Sequence, residues 1–164
     1  MSTSRLTYLL VPALLAVAGC DGDNNGTSSV EESGPGAYQA DFRNSAQFFT
    51  RMSGLRQGTS PHGKSQIWYS RNVQDRIAKP AFSVPEGTTA IKTFDSDGVE
   101  GIDGLAVMVK REAGYDAEHN DWYYEMRDPS GAVMADPPAG ATSMCVSCHA
   151  GCADRDYLCG TQLR

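Results

Sequence analysis

Short apolar-periodic stretches alternate with breaks rich in glycine and aspartate, and the period changes along the chain. Residues 6–18 are an uncharged, mostly apolar run behind Arg5, ending in Gly19-Cys20. Residues 21–36 (DGDNNGTSSVEESGPG) have almost no apolar content, the composition of a flexible tether. Patterned sequence resumes near Ala37. In residues 41–52 (DFRNSAQFFTRM), Phe42, Ala46, Phe49 and Met52 recur at three- and four-residue spacings, which predicts an amphipathic helix. Beyond it the period falls to two. Residues 65–71 alternate around Ile67 and Tyr69, and residues 88–94 follow the turn Pro85-Glu86-Gly87. Residues 105–110 place Leu105, Val107 and Val109 on one face, and residues 121–127 set Trp122, Tyr124 and Met126 opposite Tyr123 and Glu125. The breaks between them suit antiparallel strands, and residues 72–78 suit a short helix. The fold expected is α+β and β-rich: an antiparallel sheet with a few helices, occupying residues 37–164.

The 164-residue chain carries a net charge of −6, or −7 once Arg5 leaves with the leading segment, which argues against a nucleic-acid partner. No internal repeat is evident. The run at 6–18 is too short to span a bilayer but has the charge, apolar length and small terminal residues of an export signal. Val17-Ala18-Gly19-Cys20 also resembles a bacterial lipobox. Residues 1–19 are then a lipoprotein signal peptide, Cys20 is the lipidated first residue of the mature chain, and residues 20–36 tether the domain. The alternative is an ordinary cleaved signal with a cysteine at that point. Asp21 resembles an inner-membrane retention signal, but the choice between membranes stays open. The expected location is the periplasmic side of a bacterial membrane.

The densest chemistry is Cys145-Val146-Ser147-Cys148-His149, placed near the C-terminus. The spacing C-x-x-C-H suits covalent haem attachment: two thiols reach the vinyl groups, and the following histidine donates a ring nitrogen to the iron. A zinc site would want a second ligand pair, whereas His62 and His119 are single and far apart. A thioredoxin-type motif would follow a buried strand, whereas residues 136–143 read as a loop. One covalently attached haem c is therefore expected, on Cys145 and Cys148, with His149 as the proximal iron ligand. Haem attachment of this kind takes place outside the cytoplasmic membrane, which agrees with the export signal. Of the five cysteines, Cys20 goes to lipid and two to haem; Cys152 and Cys159 remain, and an oxidising compartment favours a small local disulfide between them.

With its C-terminal C-x-x-C-H behind strand-like stretches, the chain resembles the cytochrome P-460 family, which includes the cytochromes c′-beta. The resemblance runs from about Pro61 to Tyr157. It rests on His62-Gly63, Gly87-Thr88-Thr89-Ala90-Ile91-Lys92, Val107-Met108-Val109-Lys110, Gly114-Tyr115-Asp116, Asp121-Trp122-Tyr123-Tyr124, the haem motif and Asp156-Tyr157. It implies an antiparallel sheet, often in a homodimer, and a five-coordinate haem with an open distal face. Some members oxidise hydroxylamine; the c′-beta members bind nitric oxide and related ligands. In the true P-460 members a lysine matching Lys92 is cross-linked to the porphyrin, while an unlinked, solvent-facing strand lysine is the ordinary alternative. Met108, Met126, Met144, His62 and His119 are candidate sixth ligands, and Phe82, Phe94 and Trp68 are candidates to wall a dry pocket. Hydroxylamine oxidation would want a distal carboxylate; residues 139–144 hold none, and Asp75, Glu86 and Glu125 are unplaced candidates. Three readings follow: a tethered haem protein binding nitric oxide or a similar ligand, a hydroxylamine-oxidising enzyme, or a six-coordinate electron carrier serving a redox partner protein.

Overall fold

A computed structural model describes residues 38–57, 62–95, 101–135, 139–140 and 143–162. The expected signal peptide, Cys20 and the tether lie outside the described residues. Six strands form one sheet: β1 (Phe48–Thr50), β2 (Arg56–Gln57), β3 (Lys64–Ser70), β4 (Thr89–Asp95), β5 (Gly104–Lys110) and β6 (Trp122–Arg127). The spatial order is β1-β3-β4-β5-β6, every strand pairing antiparallel, with β2 also against β3. One α-helix, α1 (Ser143–His149), follows the sheet and runs on into a 3-10 stretch, Ala150–Arg155. The β-rich α+β expectation holds, and the four alternating stretches begin and end within a residue of the observed strands.

Both faces of the sheet are covered. On one face Phe42, Phe48, Ile91, Leu105, Val107 and Val109 form a core. On the other, Ile67, Tyr69, Ala90, Met108, Trp122 and Tyr124 meet Val146, Tyr157 and Leu158 from the C-terminal segment. Two-sided coverage explains why β4 is buried nearly throughout, polar Thr89, Thr93 and Asp95 included, with only Lys92 short of full burial. The period-two reading of β5 holds: its odd positions enter the first core, and Met108 enters the second.

The helix expected over residues 41–52 is not formed. Hydrogen bonds from Asn44 N and Ser45 N to the Asp41 carbonyl make one turn, after which the chain extends and Phe48–Thr50 pairs with β3. Phe48 and Phe49 are neighbours that pack on opposite faces, and Ala46 is exposed. The three- and four-residue spacing therefore reflects two cores, not one helical stripe. At residues 71–79 the chain forms a 3-10 turn, Arg71–Val73, and further helical turns, with Ile77 N bonded to the Val73 carbonyl. The short helix expected over residues 72–78 is present only as this 3-10 turn and the hydrogen-bonded turns after it.

Gly104 opens β5 where two elements crowd together. A Cβ there would sit 2.7 Å from the Arg127 carbonyl oxygen and 2.9 Å from Phe94 Cζ. Gly104→Ala is expected to destabilise the fold by about 1–3 kcal/mol through overpacking, read as a lower urea midpoint with an unchanged slope.

Candidate functional site

The register aligns side chains on the second face of the sheet into straight cross-strand rows. Lys110 and Trp122 form a pair at one end. Next comes Tyr69, Ala90, Met108, Tyr124, and after it Ile67, Lys92, Ala106, Met126. Ser65, Phe94 and Gly104 make the last row. The alanines in mid-row leave a depression between larger neighbours. Over these rows lies a cavity of about 730 Å³, roofed by Met144, Cys145, Cys148 and His149 of α1 and by residues from Cys152 to Gln162. Its volume falls in the range of about 300–1,000 Å³ usual for cofactor and ligand sites.

The structure brings Cys145, Cys148, His149 and Lys92 to this one cavity. The motif occupies α1, where positions three apart share a face, so both cysteines line the space; Cys145 is half-buried and Cys148 exposed. His149 Nδ1 lies 2.7 Å from the Tyr157 carbonyl oxygen. A carbonyl only accepts, so Nδ1 carries the proton and Nε2 keeps its lone pair. Burial pushes the His149 pKa down, against the Tyr157 hydrogen bond and with the nearby Lys92 charge, which favours the neutral imidazole. A neutral imidazole with an oriented second nitrogen is the form that binds a metal. Two thiols, this imidazole and apolar walls make a donor set that fits a covalently attached haem.

The Tyr157 carbonyl is held by contacts that no local sequence pattern announces. Asp156 and Tyr157 both adopt positive φ, 50° and 62°, a costly conformation for side-chain-bearing residues. The Asp156 carboxylate, 3% exposed, accepts hydrogen bonds from Val84 N at 2.7 Å, Lys110 Nζ at 2.8 Å and Trp122 Nε1 at 3.1 Å. Trp122 Nε1 also donates to the Asp156 carbonyl at 2.9 Å, and Lys110 Nζ stands 5.3 Å from the Trp122 ring centre. The Cys152–Cys159 disulfide, expected from the cysteine count, closes the loop around this turn, with Tyr157 N donating to the Cys152 carbonyl.

The other candidates divide cleanly. Met108, Met126, Met144 and His62 line the cavity. His119 does not; its Nδ1 is 3.0 Å from both Asp116 carboxylate oxygens. Of the aromatic residues expected to wall the pocket, neither Phe94 nor Phe82 is among its lining: Phe94 packs tilted against His62, ring centres 5.3 Å apart, and Phe82 packs at the core margin. Trp68, expected beside them, instead lies on the opposite face, edge-on to Phe42 at 5.7 Å, because its position in β3 is one out of phase with Ile67 and Tyr69. Tyr69 and Tyr124, which were not singled out, are the aromatic residues of the floor. Glu125 is the one acidic residue among the described lining, and its carboxylate binds Tyr123 Oη and Arg127 Nε. Asp75 and Glu86 are exposed elsewhere. No protein-family model matches the chain, and a search of curated proteins finds no match.

Two predictions follow from these contacts. Asp156→Asn leaves the Lys110 ammonium buried without its carboxylate, and a loss of about 3–5 kcal/mol in urea unfolding is expected. Pairing it with Lys110→Met should recover part of that loss. The second concerns acid. His62 is pushed down to about 4 by burial, with Lys92 and His149 adding to it. Between that value and the ordinary pKa of about 6.5, the unfolded chain binds a proton that the folded chain refuses. Stability therefore falls as pH is lowered through this window, by up to about 2 kcal/mol from His62 after allowance for its partial exposure. His62→Gln should flatten that part of the stability–pH curve.

Proposed function

We propose that the chain is an exported, membrane-tethered c-type cytochrome with one haem, whose iron binds nitric oxide or a similar small ligand and exchanges electrons with a redox partner protein. The observation that carries this reading is the meeting of Cys145, Cys148 and a His149 of fixed tautomer at one largely apolar cavity. Cys145 and Cys148 would hold the haem through thioethers, and His149 Nε2 would ligate the iron. The haem, when bound, supplies an iron that takes up one electron and holds a small ligand. The chain's residues supply the rest: Tyr157 orients the imidazole, and Ile67, Ala90, Met108 and Leu158 exclude water. Walls of this kind favour uncharged ligands over anions.

The N-terminal pattern and the Cys152–Cys159 bond support a lipid-anchored, periplasmic location, since disulfides persist in oxidising compartments. One observation favours hydroxylamine oxidation as a second reading: Lys92 sits in the middle of the floor, its amine lowered to about 8 by burial. That shift leaves a larger share of the amine uncharged near neutral pH. The absence of a disengaged carboxylate among the described lining residues argues for ligand binding as the first choice.

Absorption spectra of the purified full chain, oxidised and reduced, test both readings. Covalent haem c with a high-spin spectrum that shifts under carbon monoxide is the expected result, and Cys145→Ala/Cys148→Ala should abolish haem retention after denaturation. A reduced band far to the red of ordinary haem c, lost in Lys92→Arg, would favour the cross-linked enzyme. A low-spin spectrum indifferent to carbon monoxide would mean a protein sixth ligand and sink both.

A further inference from the structure

The cavity floor carries buried hydroxyls that nothing among the described residues satisfies. Ser65 Oγ, Tyr69 Oη and Tyr124 Oη all lack a hydrogen-bond partner, and all three residues line the cavity. Native structures seldom leave buried donors unmet unless a ligand meets them. Tyr124 stands beside the candidate iron ligand, its ring 5.5 Å from that of His149. Tyr69 begins the same cross-strand row on β3, three strands away, or roughly 14 Å at the usual strand spacing. Tyr69 therefore lines the cavity well away from His149, where the outer part of an occupant held by that histidine would reach.

Beside that end, outside the cavity lining, stands a positive charge: Arg51 comes two residues after Phe49, the residue of β1 that pairs with Tyr69. Arg51 lies near enough for its charge to ease proton loss from the Tyr69 hydroxyl, while burial, the larger effect, opposes it. Its guanidinium is braced on the Thr161 carbonyl at 2.7 Å and the Ile77 carbonyl at 3.3 Å. Thr161 Oγ1 is a further buried hydroxyl without a partner. Unmet donors beside a fixed cation call for an anionic acceptor.

We propose that Tyr69 Oη donates a hydrogen bond to a carboxylate on the rim of the cavity's occupant, with Arg51 as the countercharge. The inference rests on the haem reading above, in which the carboxylate is a porphyrin propionate. Tyr69 is then a positioning residue that sets how the ring lies in the cavity before the thioethers form.

The test uses the full chain produced without haem, titrated with haemin and with haemin dimethyl ester. The wild type should prefer the free acid by about tenfold or more, the usual worth of a hydrogen bond to a charged group. Tyr69→Phe should lose most of that preference. Without haem the same variant should melt higher, by roughly 2 °C or more, because a buried unmet hydroxyl has been removed. Haemin uptake with an undiminished preference in Tyr69→Phe overturns the proposal alone, as does a haem-free variant no more stable than wild type. A change confined to carbon monoxide binding also overturns it, since it would put Tyr69 at the axial ligand. A wild-type chain that takes up neither compound overturns the haem reading and this proposal together.

Discussion

The cavity and its histidine depend on one buried carboxylate. Asp156 sits where the C-terminal segment must reverse, and its oxygens draw together the backbone before β4, the end of β5 and the start of β6 through Val84, Lys110 and Trp122. A buried ion pair does not by itself add stability, because desolvation offsets the attraction. What it provides here is position. With four donors converging on it, Asn120 Nδ2 at 3.3 Å being the fourth, Asp156 holds two consecutive residues in the left-handed region, and that backbone aims the Tyr157 carbonyl at His149. The cost of the strained turn is thus met by the sheet, and its benefit is felt at the imidazole.

The sheet serves the site through register more than through shape. Lys110 opposes Trp122, and the two rows that follow carry Ala90 and Ala106 at their centres. A slip of one residue would turn each of these side chains to the opposite face and replace the cavity floor with the packing of the first core. The crowding of Gly104 against Phe94 and the Arg127 carbonyl is one feature that opposes such a slip.

Much of this was legible in the sequence because it rests on local periodicity. Alternation located β3 to β6, and it sorted Leu105, Val107 and Val109 from Met108. C-x-x-C-H identified its own three residues by spacing, and the cysteine count left Cys152 and Cys159 to pair. The first strand was missed for a physical reason: Phe42, Phe49 and Met52 mimic a helical stripe, yet they pack into two cores on opposite faces. The partnership of Lys110 with Asp156 was hidden because it spans 46 residues, and neither residue type is unusual where it stands. Tyr69 and Tyr124 were read correctly as strand positions; that their hydroxyls go unmet is a fact of three dimensions only.

The disulfide has a consequence for how the chain matures. Outside Cys20, four cysteines crowd into the last stretch of the chain, and four thiols can pair in three ways. The turn at Asp156 and Tyr157 brings the Cα atoms of Cys152 and Cys159 to 5.5 Å, and so selects one pairing. Cys145 and Cys148 are left on their helix as thiols. Such a choice is a form of chemical sorting: the backbone retires two sulfurs from competition and leaves the other two outside the disulfide.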